Sequence, residues 1–135
     1  DIRVTRGDDV ETSALVTGDN IRFVIEVSTP VPGMSTWLKL YNRFGQQIAT
    51  FNSIVQGSDD TTSMNSGFVL QIPELLLTAG QYYMNCALLV NGELHDYIER
   101  AVVFEVHEGQ IRGRPVLAST EVNVFFPHQW VLPVF

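Results

Sequence analysis

The sequence predicts an all-β protein, an antiparallel β-sandwich, and three observations predict it. Short runs that alternate apolar and polar residues recur along the chain. Turn residues (Gly, Asn, Asp, Pro) separate these runs, and no segment holds the 3.6-residue period of a helix through three turns. About eight short strands divided by turn signals must bury their apolar faces against one another, and two packed sheets do this.

The elements follow in order. "DIRVTR" and "ETSALV" are β-like, and "TGDN" (17–20) is a turn. "IRFVIEV" (21–27) has Ile21, Phe23, Ile25 and Val27 on one side, with Arg22, Val24 and Glu26 on the other, a strand period. "STPVPG" (28–33) ends it, because proline cannot donate to a ladder. "STWLKLYNRFG" (35–45) and "QQIATF" form a hairpin, and "VQGSDDTTSMNSG" (55–67) is a polar loop. "FVLQI" is the next strand. "PELLLTAG" (73–80) reads as one helical turn, with Pro at its start and Gly at its end. "QYYMNCALLV" and "RAVVFEV" are strands joined by "NGELHDYIE", and the chain closes on the strongly apolar "RPVLASTEVNVFFPHQWVLPVF".

Composition narrows the class. The 135 residues suit one domain spanning 1–135, and 45% hydrophobic with 17% charged residues is ordinary for a globular chain. No apolar run has the length of a membrane-spanning helix, so direct membrane insertion is not expected. The net charge of −7 (15 acidic, 8 basic residues) opposes nucleic-acid binding, which draws affinity from neutralising phosphates. The single cysteine, Cys86, has no internal disulfide partner, which leans towards a reducing compartment. The chain begins at Asp1, and the expectation is a fragment of a longer protein.

Catalytic and cofactor signatures are missing. There is no phosphate loop and no G-x-G-x-x-G motif, and no cofactor is expected. His95, His107 and His128 lie apart without paired metal spacing. "GDD" (7–9) and "GSDD" (57–60) do not match a calcium loop and read as solvated turns. Cys86 sits among apolar neighbours as a small hydrophobe. Glu93 and Asp96 have no fixed separation across a cleft, so they do not argue for glycosidase chemistry. A non-enzymatic domain is expected.

Four motifs then occur in a telling order. "TGDNIRFVIEV" and "WLKLYNRFGQQI" resemble a strand opening and its partner strand with a following turn. "LLLTAGQYYMNCAL" and "AVVFEV" resemble a Gly-x-Tyr strand entry and a closing strand. Together, over roughly residues 10–110, they resemble the C-terminal domain of Wzt-type proteins, the nucleotide-binding subunits of ABC transporters that export O-antigen polysaccharide. The resemblance implies an immunoglobulin-like sandwich that binds the modified non-reducing end of the polysaccharide in the cytoplasm, at the inner-membrane transporter. It also implies an ATPase domain upstream and a homodimer with an exchanged C-terminal strand, here placed in 112–135. This sequence departs from the family pattern at Asn42, where an acidic residue is usual, and after residue 110.

Strand alternation assigns the binding face. With Leu38 and Leu40 inward, Trp37, Lys39 and Tyr41 point outward; burying Trp37 instead would bury Lys39. Tyr82 stands where a tyrosine corner would anchor its strand. Tyr82, Met84, Cys86 and Leu88 then face the core, and Tyr83, Asn85, Ala87 and Leu89 face out. The closing strand puts Val102, Phe104 and Val106 inward and Ala101, Val103 and Glu105 outward. Trp37, Lys39, Tyr41, Tyr83 and Asn85 are the expected carbohydrate-binding residues, with Ala87 and Ala101 leaving a depression. Aromatic planes stack on sugar C–H faces while polar groups bond the hydroxyls. Lys39 suits a phosphate-bearing cap; Trp37 with Val103 suits a methyl cap. Arg43, Asn91, His95, Asp96 and Tyr97 fall on turns near the site and read as ordinary solvated loops rather than as contacts. The alternative is a protein-interaction sandwich using the same aromatic face or the apolar tail (Val122, Val124, Phe125, Phe126, Trp130, Val131, Leu132, Val134, Phe135).

Overall fold

The computed structural model describes residues 2–6, 14–53, 67–111, 114–116, 123–124 and 129–134. The polar loop expected over 55–67 lies outside them except for Gly67. So do both acidic turns, His128, Val122, Phe125, Phe126 and Phe135.

Ten strands and no helix make up the described residues: β1 (Ile2–Arg6), β2 (Ala14–Val16), β3 (Ile21–Val27), β4 (Met34–Asn42), β5 (Gln47–Asn52), β6 (Gly67–Ile72), β7 (Gly80–Val90), β8 (Glu93–His107), β9 (Gly109–Ile111) and β10 (Arg114–Val116). They form a five-stranded sheet ordered β2-β8-β7-β4-β5, a three-stranded sheet ordered β1-β3-β6, and the β9–β10 ribbon. Every ladder is antiparallel except β2 on β8. The all-β sandwich expected from the sequence is the fold.

Period-2 alternation builds the core between the sheets. Ile21, Phe23, Ile25 and Val27 of β3 are buried, as are Leu38 and Leu40 of β4. Tyr82, Met84, Cys86 and Leu88 of β7 and Phe104 and Val106 of β8 join them. The Phe23 and Phe104 rings meet across the layers at 5.5 Å, and Tyr82 stacks on Phe104 at 5.9 Å. Each such side chain withdrawn from water contributes roughly 1.5–3 kcal/mol. The Tyr82 hydroxyl donates to the Thr78 carbonyl at 2.8 Å, forming the expected tyrosine corner.

The "TGDN" turn carries Gly18 at φ 94°, and a Cβ there would collide with the Gln110 carbonyl oxygen. Gly18 N–H donates to the Leu75 carbonyl, and Leu75 N–H donates to the Asp19 carbonyl. These bonds correct the helical turn expected over 73–80, which instead bends at 73–74 and 79 and forms a β-bridge at Leu77. Leu75 and Leu77, two residues apart, both enter the core, an arrangement that suits extended backbone and not a helical turn. Thr78 N–H donates to the Asn123 carbonyl, and Leu77 bridges Val124, so residues 123–124 lie along this segment.

A second correction concerns residues 91–99. They are not a long connection: Asn91 and Gly92 (φ 52° and 83°) make a two-residue turn, and β8 starts at Glu93. Positive φ at both central positions matches the twist of a tight hairpin.

Asn42, the departure from the family pattern, is buried and organises the β4–β5 turn. Its Oδ1 accepts the N–H groups of Phe44 and Gln46, while Nδ2 donates to Gln46 Oε1 and Asn123 Oδ1. A carboxylate could keep the first pair of bonds but not donate the second.

Candidate functional site

The outer face of the five-stranded sheet brings the five expected residues together. β4 pairs with β7 so that Trp37 lies opposite Ala87, Lys39 opposite Asn85 and Tyr41 opposite Tyr83. β5 and β8 extend these pairs into three cross-strand rows. The first is Asn52, Trp37, Ala87 and Tyr97. The second is Thr50, Lys39 and Asn85, with a β8 bulge beyond; the third is Gln47, Tyr41, Tyr83 and Val103. Trp37, Lys39, Tyr41, Tyr83 and Asn85 are all half-buried, as expected for large side chains lying across a sheet rather than standing free.

The first and third rows are aromatic. Trp37 and Tyr97 have ring centroids 5.7 Å apart, tilted by 58°. Ala87 lies between them in the register and is 0% exposed, so the two rings close over it. Tyr41 and Tyr83 stack at 5.1 Å and 10°. Such pairs hold the rings against the sheet with about 0.5–1.5 kcal/mol beyond their burial.

The middle row is polar and cationic. Lys39 Nζ lies 4.6 Å from the Trp37 ring centroid. On the other side, Met84 pairs with Val102 and Cys86 with Ile98, so Asn85 alone faces residues 99–101. This bulge holds Arg100 at φ 49°, and its N–H donates to Asn85 Oδ1 at 2.9 Å. The Arg100 guanidinium carbon sits 4.1 Å from the Tyr83 ring centroid.

Three expectations need correcting. Ala87 and Ala101 do not leave a depression: Ala87 is roofed by Trp37 and Tyr97, and Ala101, displaced by the bulge, packs against the core. Trp37 and Val103 do not make one pocket, because they occupy the first and third rows, about 13 Å apart along the strands. Tyr97 is on β8 and not on a turn, and it partners Trp37. Arg100 was not among the expected residues at all. The signal for Tyr97 was the "NG" at 91–92, which starts β8 early enough to carry it onto the face.

Of the other bordering residues, Arg43 packs on Phe44 in the β4–β5 turn, 4.7 Å from its ring centroid. Asn91 forms the hairpin turn, and His95 and Asp96 lie on β8. Among the described residues, no group of three or more His, Cys, Asp or Glu side chains is arranged to hold a metal ion.

A cavity of about 320 Å³ lies on the opposite side of the sheet, within the sandwich. Ile48 and Phe51 of β5, Ile72 of β6, Leu77 and Val124 contribute to its wall. Among the described residues, Glu74 is the one charged residue in an otherwise apolar wall, too few polar groups to orient a sugar.

The comparisons bear on the fold and the family. A family model described as the Wzt C-terminal domain matches residues 1–117. Among solved structures, the chain is similar to the crystal structure of the C-terminal domain of wzt, with a TM-score of 0.64 and 11% identity. The alignment covers 95% of this chain and 81% of that one, and at this identity it speaks for the fold alone. A search of curated proteins found no match. Among the described residues, no helix is long and apolar enough to cross a membrane. The family match extends over most of the sequence, and the chain belongs to the Wzt C-terminal domain family.

Proposed function

We propose that the domain is a non-catalytic carbohydrate-binding module that recognises the modified non-reducing end of an O-antigen polysaccharide and couples it to export by an ABC transporter. Family membership supports the carbohydrate and export context. The observation that carries the site is the outer face itself: two aromatic rows, Trp37–Tyr97 and Tyr41–Tyr83, flank a polar row containing Lys39 and Asn85. The Trp37 and Tyr41 rings offer flat apolar surface to sugar C–H faces, Tyr83 being covered by Tyr41 on one side and Arg100 on the other, and the row between them supplies donors and acceptors for hydroxyls. In this reading the domain works in the cytoplasm beside an ATPase domain of the full-length protein and its transporter partners.

The same reading includes a homodimer. Trp130, Val131, Leu132 and Val134 are 75–100% exposed, and contiguous exposed apolar side chains mark an interaction surface. Residues 123–124 dock on 77–78 of their own chain, so the stretch after them is the part of 112–135 that a second copy would take up.

Binding of purified, end-capped O-polysaccharide to the wild type and to Trp37→Ala tests the site. Truncating a central aromatic anchor is expected to weaken binding on the order of thirtyfold. Undiminished binding by Trp37→Ala would remove this face as the site. A folded protein that binds no O-polysaccharide would favour a protein-contact role.

A further inference from the structure

We infer that Arg100 is a positioning residue of the binding face: its guanidinium resists burial, which keeps the β8 bulge in place, and the bulge sets the register that brings Tyr97 against Trp37. For what the face binds, the inference rests on the glycan-binding reading. The register stands apart from that reading.

Alternation along β8 places Ile98, Arg100, Val102, Phe104 and Val106 on one side of the strand. Four of these five pack in the core or against it. An unbroken β8 would aim Arg100 the same way, opposite Met84 or Cys86, which are 1% and 0% exposed. A guanidinium there would be a charge taken out of water, which is costly unless it is paired and hydrogen-bonded.

The strand breaks instead. Residues 99–101 stand opposite Asn85 alone, Arg100 turns out at φ 49° onto Tyr83, and Ala101 packs against the core. Asn85 Oδ1 accepts the Arg100 N–H at 2.9 Å, in the role a backbone carbonyl has in an unbroken ladder.

The bulge holds two residues more than a regular ladder needs. After it, β8 is pinned: residues 105–107 pair with β2, and Phe104 meets Phe23 and Tyr82. Closing the bulge would therefore slide the stretch before it, residues 93–99, by two positions, about 7 Å towards the hairpin turn. Tyr97 would then face Leu89, and Glu99 would stand opposite Ala87 in the row of Trp37. The contact between Trp37 and Tyr97 at 5.7 Å would be lost. Because a two-residue slide leaves Tyr97 outward and Ile98 inward, the alternation that forbids one-residue slips does not oppose it. What opposes it is Arg100, which would enter the core, and the tight Asn91-Gly92 turn, which would lengthen by two residues.

Nuclear Overhauser contacts of Ala87 across the β7–β8 ladder read the register directly, in the wild type and in Arg100 variants. The wild type, Arg100→Lys and Arg100→Gln are expected to show Ala87 against Tyr97, because all three side chains resist burial. Arg100→Leu is expected to show Ala87 against Glu99 as its main species. Arg100→Met, whose flexible apolar chain adapts to the space it meets, gives the same readout if the leucine variant does not fold. O-polysaccharide binding is expected to follow the register: close to wild type for lysine and glutamine, and weakened on the order of tenfold for the slipped variants.

Ala87 still against Tyr97 in the apolar variants would overturn the inference. So would a slipped variant that binds as the wild type does. Arg100→Gln with its register intact and its binding lost would also overturn it, because Arg100 would then touch the ligand itself. If the register slips as expected but the wild type binds no O-polysaccharide, the glycan reading fails and the hold of Arg100 on the register remains.

Discussion

Lys39 sets the orientation of β4. It shares a side with Trp37 and Tyr41, and an ammonium resists burial, so Leu38 and Leu40 take the core and the aromatics take the surface. One strand further in, Cys86 shows the opposite environment. It is 0% exposed, and burial pushes its thiol pKa above 9.0. A hydrogen-bond contact with Thr36 works against that shift, and the negative charge of Asp96 adds to it. Below about pH 9 the thiol is protonated in both folded and unfolded chains and adds no pH dependence. Above it, the unfolded chain releases the proton while the folded one keeps it, so stability falls as pH rises, by at most about 1.4 kcal/mol per pH unit. Urea unfolding between pH 8 and 10 is expected to show this decline in the wild type and to show less of it in Cys86→Ala.

At the scale of elements, the β7–β8 hairpin positions most of what is new on the face. Its tight Asn91-Gly92 turn lengthens β8 to include Tyr97, and its bulge turns Arg100 onto Tyr83. The start of β7 is fixed separately by the tyrosine corner, where Tyr82 reaches back to Thr78. Tyr82→Phe keeps the ring contact with Phe104 and loses that buried hydrogen bond, a cost of about 1–2 kcal/mol in urea denaturation. Because Tyr82 points into the core and away from the aromatic rows, polysaccharide binding by this variant is expected to match the wild type.

At the scale of the whole molecule, the sandwich has two apolar surfaces with different fates. One is the closed core between the sheets. The other is the 129–134 segment, whose large side chains face solvent in the single chain. Removing residues 129–135 is expected to convert a dimer into a monomer by light scattering at micromolar concentration, with the sandwich intact by circular dichroism. A wild-type protein that is already monomeric there would end the dimer proposal.

The sequence by itself determined the fold class and the two faces of β3, β4 and the first half of β7, because side-chain alternation is a local property of extended backbone. All five expected site residues lie on one surface for that reason. Tertiary structure decided their neighbours. Alternation put Ala87 on the outer side, but its burial needs Trp37 and Tyr97 from the strands on both sides. Residues 73–80 carried helix-like end signals, and bonds to residues 18–19 and 123 hold them in a bent, non-helical path instead. Arg100 was beyond reach of any local pattern, since the bulge that carries it exists only in the pairing of β8 with β7. Faces follow from the chain's own geometry, whereas rows, roofs and bulges follow from contacts between residues far apart in sequence.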